Sequence, residues 1–253
     1  MLLLGLLSFG CELINASLGM GYGTTLTPIL LLLGYPPSVI VPTVLLSGLV
    51  TGLISGGFHH AFGNLSLRSG SRDRRIVLVL ASMGAIGAVG AVFATRELSS
   101  QALEIYIGAM VLAMGGLVFA FRRHHLAFSY PRITAVAAVA AFNKAISGGG
   151  YGPLVVSGQI LSGHGARNAV GIACLTEGLV CAVGFPLHVV LNDGGSWFAG
   201  NWSTIIPVVI GAAVAAPIAS WITRAIVRRV DLRVVIGLAT CALGAWTLWR
   251  AVA

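Results

Sequence analysis

Charge is what this chain has least of. Only 9% of its 253 residues are Asp, Glu, Lys or Arg, and 7 of them are acidic; a soluble domain carries about a quarter. That scarcity excludes a solvated globular surface. A 57% hydrophobic content and a mean hydropathy of +0.95 define an integral membrane protein instead, with the lipid bilayer as its surroundings. In a soluble chain the net charge of +8 would suggest nucleic acid. Here the basic residues sit in short loops between apolar runs, where they set topology, so no nucleic-acid partner is expected. Cysteine is scarce too: Cys11, Cys174, Cys181 and Cys241 lie inside apolar segments without C-x-x-C spacing and read as small core residues. No H-E-x-x-H occurs. His59-His60 and His124-His125 end in loops and diverge on a helix, His164 and His188 lie near segment ends, and the acids are too few for an oxygen cage. Neither a metal nor a cofactor is expected. No Ser or Cys has recognisable His and Asp partners, which sets the enzyme reading aside. The chain begins apolar at Leu2 without a basic n-region or an A-x-A site, so this segment is expected in the mature protein.

What is present is one unit written twice. Residues 147 to 153, Ser-Gly-Gly-Gly-Tyr-Gly-Pro, lie between two apolar segments too short to cross a bilayer, and so do residues 18 to 24, Leu-Gly-Met-Gly-Tyr-Gly-Thr. An offset of 129 positions superposes the two and also pairs Gly34 with Gly163, Val41 with Val170, Leu103 with Leu232, Ile107 with Ile236, Gly108 with Gly237 and Gly115 with Gly244. The apolar segments are 2–18, 24–34, 39–58, 76–95 and 103–121, then 133–147, 152–162, 168–191, 204–223 and 234–249. A spanning helix needs about 20 residues. Each half therefore reads as a broken or re-entrant helix hairpin followed by three transmembrane helices: a first repeat over 1–121, a linker over 122–132 and a second repeat over 133–253.

Eleven of the 15 basic residues fall in the loops 59–75, 122–132 and 224–233, which places those loops in the cytoplasm. The helix over 39–58 then runs inward and its mate over 168–191 runs outward. The two repeats are inverted, and both termini face outside. Inverted repeats with glycine-interrupted short segments at matching positions point to a secondary transporter whose site lies near the midplane.

The paired Gly-x-Gly-Tyr-Gly turns, each followed by a short segment closing in Gly34 or Gly163, and the doubling over essentially the whole chain, resemble the TauE/SafE family of sulfite and organosulfonate exporters. The resemblance implies a carrier of small anions, commonly oxidised sulfur compounds, in the cytoplasmic membrane. Family members often carry a proline a few residues after each glycine turn; Pro28 matches it in the first half, its mate here is Ser157, and Met20 replaces one glycine of the first turn.

The turns have a physical reading of their own. Where a short helix starts at a glycine-rich break, its free N–H groups and positive dipole end face the break, and glycine lets a ligand approach the backbone. Gly19, Gly21, Gly23, Gly148, Gly149, Gly150 and Gly152 are the candidates, with Tyr22 and Tyr151 as donors or packing aromatics. The competing reading is close helix packing. A P-loop is excluded, since no Lys-Ser or Lys-Thr follows either turn. Three ionisable residues interrupt the apolar segments: Glu12, Lys144 and Glu177. Lys144, with Asn143 beside it and Asn15 as its repeat mate, is expected to offset the substrate's charge. Glu177, ahead of Glu12, is the place for a coupling proton or for a partner of Lys144. Because a negative interior drives anion exit by about 2.3 kcal/mol per charge per 100 mV, uniport efflux is the expected mode. A passive anion channel and a proton-coupled carrier are the alternatives.

Overall fold

The computed structural model describes residues 1–120, 129–191, 195–226 and 231–252. Among the described residues every regular element is a helix: α1 (Leu2–Leu18), α2 (Tyr22–Leu32), α3 (Pro37–Ala61), α4 (Arg72–Arg96), α5 (Ser100–Ala120), α6 (Tyr130–Ser147), α7 (Tyr151–Leu161), α8 (Ala166–Leu191), α9 (Gly195–Ile226) and α10 (Asp231–Val252). Local chemistry accounts for several boundaries. Ser71 caps α4 by accepting from the Arg74 amide, with Asp73 in the first turn complementing the helix dipole. Prolines at the start of α3 and α6 sit where a missing N–H is harmless.

Pro37–Ala61, Arg72–Thr95, Ala166–Leu191 and Trp197–Thr223 are long and apolar enough to cross a membrane. Most of the longer helices outrun their apolar runs, and α3 and α9 do so in ways that move a loop or extend the helix well beyond its run. α3 continues through His59 and His60 to Ala61 because His59 is fully buried, so the loop expected to start at His59 starts after Ala61. α9 begins nine residues before position 204, in a stretch whose polar residues lower its hydropathy. There Trp197 and Phe198 pack edge-on against Phe185, and Trp202 packs on Phe198. Amphipathic rings of this kind favour the bilayer interface.

Polarity is distributed inside out, as a lipid surround demands. The outward faces of α4 and α9 are apolar, with Ile86, Val89, Phe93, Ile206, Ile210, Val214 and Ile218 exposed, whereas Glu12, Asn15, Lys144 and Glu177 are buried. All four cysteines are free thiols.

α1 lies along α9 and α6 along α4; α3 packs on α8, and α5 on α10. α5 and α10 run antiparallel, with Gly115 over Cys241, Gly244 over Leu112, and Gln101 near the start of α5 donating to the Ala251 carbonyl. The start of α4 therefore lies at one end of the bundle and the end of α10 at the other. α7 returns the chain to the first end, where His164 meets Asp73, while α2 returns it to the second, where Arg250 Nη1 donates to the carbonyls of Leu31 (3.2 Å) and Leu32 (2.7 Å). Arg68 and Arg72 to Arg75 stand at the first end. The sequence-expected basic residues 122–123, 224, 228–229 and 233, His124-His125 and Asp193 lie outside the described side chains.

Candidate functional site

Each short helix pair breaks at glycine. α1 ends on Gly19 (φ 72°), whose N–H donates to the Asn15 carbonyl, and α6 ends on Gly148 (φ 75°), whose N–H donates to the Lys144 carbonyl. Gly21 (φ 84°) and Gly150 (φ 78°) then start α2 and α7. Positive φ is strained for any residue with a Cβ, which is why glycine recurs at these places.

The two breaks meet. A Cβ on Gly23 would lie 1.6 Å from the Gly148 carbonyl oxygen, and one on Gly152 would lie 2.6 Å from the Gly21 nitrogen. Here backbone approaches backbone across the two turns, so the close-packing reading describes these glycines in this arrangement. Several of the free amides are already capped: Gly21 N–H by Asn15 Oδ1 (3.1 Å), Gly149 N–H by Ser147 Oγ (3.1 Å) and Gly150 N–H by Thr24 Oγ1 of the other turn (2.9 Å).

Beside the crossing lies the charge cluster. Lys144, the chain's single lysine, is fully buried on α6 and donates to Glu177 Oε1 of α8 at 2.7 Å. Asn15 Nδ2 spans the two carboxyls, 3.0 Å from Glu12 Oε2 and 3.5 Å from Glu177 Oε2. The lysine head lies 5.9 Å from the centre of the Tyr22 ring, within reach of a cation–π attraction. It also lies beside Gly48, where a Cβ would come within 3.3 Å of Nζ and 3.0 Å of Cys181 Sγ. A helix residue without a side chain makes room for the ammonium.

Other expected residues are placed differently. Asn143 turns to α5, where its Oδ1 accepts from the Tyr106 hydroxyl, and packs on Gly150. The Tyr22 hydroxyl is held by Ser8 (2.8 Å) and Ser47 (2.9 Å), whereas Thr176 is the side chain that faces the equally buried Tyr151 hydroxyl. His59 and His188 escaped the sequence reading as a pair, although they are 129 positions apart. Each brings Nε2 to a carbonyl one residue past the Asn15 or Lys144 position: Ala16 (3.0 Å) and Ala145 (2.8 Å). The offset that aligned the turns would have found them. Among the described residues, no group of three His, Cys, Asp or Glu could hold a metal ion.

An outward apolar shell around a buried ionic cluster at two helix breaks defines a polytopic membrane protein of the transporter class. The chain matches the model of the sulfite exporter TauE/SafE family over residues 3–247 and belongs to that family. It is also 33% identical over 232 residues to the "Probable membrane transporter protein YtnM" of Bacillus subtilis (strain 168), covering 87% of this chain and 73% of that protein. No solved structure matches it. The family assignment makes the chain a multi-pass membrane transporter with a small-molecule substrate.

Proposed function

We propose that this chain is a carrier that exports small anions, sulfite or organosulfonates foremost, across the cytoplasmic membrane by alternating access of two inverted repeats, with both termini outside. The observation that carries the reading is the buried Lys144 at the crossing of two helix breaks. A cation taken out of water and into the middle of a lipid-surrounded bundle is expensive unless it has work with an anion. The repeat assignment is supported by matching packing, since the α1–α9 and α6–α4 pairs and the His59 and His188 contacts each correspond at the 129-residue offset. A sulfur anion and the outward direction are supported by the family description.

The test is efflux from proteoliposomes loaded with sulfite, sulfoacetate, taurine, sulfate or a small carboxylate. Saturable efflux with counterflow is expected for an oxidised sulfur anion, weakened more by Lys144→Ala than by Lys144→Arg. Flux without counterflow would indicate a channel. No flux of any of these anions would overturn the reading.

A further inference from the structure

The cluster at the crossing contains two carboxyls and one ammonium, and their partners are unequal. Glu177 has both oxygens engaged, Oε1 with the Lys144 ammonium and Oε2 with the Asn15 amide. Glu12 has Oε2 on Asn15, while its buried Oε1 has no partner among the described residues. The groups facing the cluster are Asn15 and Cys11 on α1, Tyr22 on α2, Gly48 on α3, Lys144 on α6, Tyr151 on α7, and Cys174, Thr176 and Cys181 on α8. α9, which packs along α1, contributes no ionisable residue between 195 and 223. Among the described residues, Lys144 is therefore the one cation within this cluster of two acids.

Charge balance in a buried cluster bears on which acid is ionised. An unpaired buried charge costs several kcal/mol, far more than an unpaired neutral hydroxyl. The cluster is neutral when Lys144 is an ammonium, Glu177 its carboxylate and Glu12 an acid. In that arrangement the Glu177 carboxylate occupies the place on Lys144 that a substrate anion needs.

We infer that a substrate anion and the Glu177 carboxylate compete for Lys144, so that each monovalent anion binds together with one proton, which Glu177 takes up as the anion displaces it. This rests on the anion-carrier reading above. The step balances: the anion's charge pairs with the Lys144 ammonium, and a proton from water on the side facing the site converts the freed carboxylate to an acid. Glu12 keeps its own proton throughout and takes no part in the exchange. Transport of the pair moves no net charge, so the flux follows the proton gradient and ignores the membrane potential, unlike the uniport expected from the sequence.

The experiment is anion binding to the purified protein in weakly buffered solution with a pH indicator, using the oxidised sulfur anion that binds, in its monovalent form. Uptake of one proton per anion is expected in the parent, and loss of that uptake in Glu177→Gln with binding retained. Glu177→Asp, which keeps an acid, should restore it and serves where the glutamine variant does not purify. Anion binding without proton uptake in the parent, or uptake lost in Glu12→Gln instead, overturns the inference while leaving the carrier intact. A protein that binds none of the anions refutes the carrier reading itself. In proteoliposomes, efflux that doubles or more under an imposed pH gradient, acid inside, and is unchanged by a potassium-valinomycin potential supports the exchange; the reverse pattern overturns it.

Discussion

Asn15 and Lys144 stand 129 positions apart, each four residues before the glycine that ends its helix, and each offers its backbone carbonyl to that glycine. The backbone treats them alike and the chemistry does not. Around both positions the framework is duplicated: paired positive-φ glycines, a carbonyl one residue further on that receives a histidine Nε2, and a following Tyr-Gly pair. The charge is not duplicated. Lys144 answers to Asn15, Glu177 to Gly48, and Glu12 to Ala141. Two copies of one scaffold thus hold one ionic cluster, assembled from unlike residues contributed by both halves. For the carrier proposed above, a duplicated frame supplies two equivalent ways to close, and a single asymmetric cluster supplies one place for the ligand.

The largest test of that contrast is to remove the charge at one member of the pair. Lys144→Met leaves Glu177 buried without a cation and should lower stability by about 3–5 kcal/mol. Asn15→Met removes neutral hydrogen bonds at the equivalent place and should lower it by about 1–3 kcal/mol. Thermal unfolding in detergent reads both. The double variant Lys144→Met/Glu177→Leu should recover most of the lost stability while remaining unable to bind anions, because apolar replacement of a whole buried ion pair is often neutral. Equal losses at the two positions would mean that the ammonium is merely another structural donor.

Those two positions were legible in the sequence because an ionisable residue inside an apolar run is conspicuous, and because the repeat offset brought Asn15 and Lys144 into register. That Glu177 holds Lys144 was open, since the pair spans 33 positions and two different helices, and no periodicity reports a contact between helices. The glycine turns were legible as breaks. Their contact with each other was not, because a sequence shows that backbone can be approached and not by what. Asn143 was grouped with Lys144 by adjacency alone, yet neighbouring helix residues point about 100° apart, and its partner is Tyr106 on α5. Sequence alone places His59 in a loop because histidine lowers local hydropathy. Its burial depends on a carbonyl of α1 that lies 43 positions away.

The histidines provide a middle-sized test, this time of likeness. Each of His59→Ala and His188→Ala strips the Nε2 partner from the carbonyl of the residue after Asn15 or Lys144, and each should reduce stability by about 1–3 kcal/mol. The two losses should agree within a factor of two if the framework is duplicated as the packing indicates. A loss confined to one of them would separate the halves structurally as well as electrically.

The smallest effect belongs to the basic end, where the frame is least symmetric. Asp73 there ties three segments together: its Oδ2 accepts from the Ser66 amide (2.8 Å) and from Asn168 Nδ2 (2.8 Å), and its Oδ1 faces His164 Nε2 at 3.0 Å. Burial pushes the His164 imidazole below its ordinary value of 6.5, an effect that the Asp73 carboxylate opposes without reversing. The sign follows. As pH falls through about 6.5, the unfolded chain takes up this proton before the folded one does, so stability declines until the lower folded value is passed. At neutral pH the ring is uncharged and donates Nε2–H to Asp73. His164→Gln keeps a donor for Asp73 but does not titrate, so its melting temperature should fall less than the parent's between about pH 8 and about pH 5. Parallel melting curves for parent and variant across that range would remove His164 from the pH response. The equivalent place in the first half, Tyr35, which carries no imidazole, provides the comparison: Tyr35→Phe should leave the pH slope as it is in the parent.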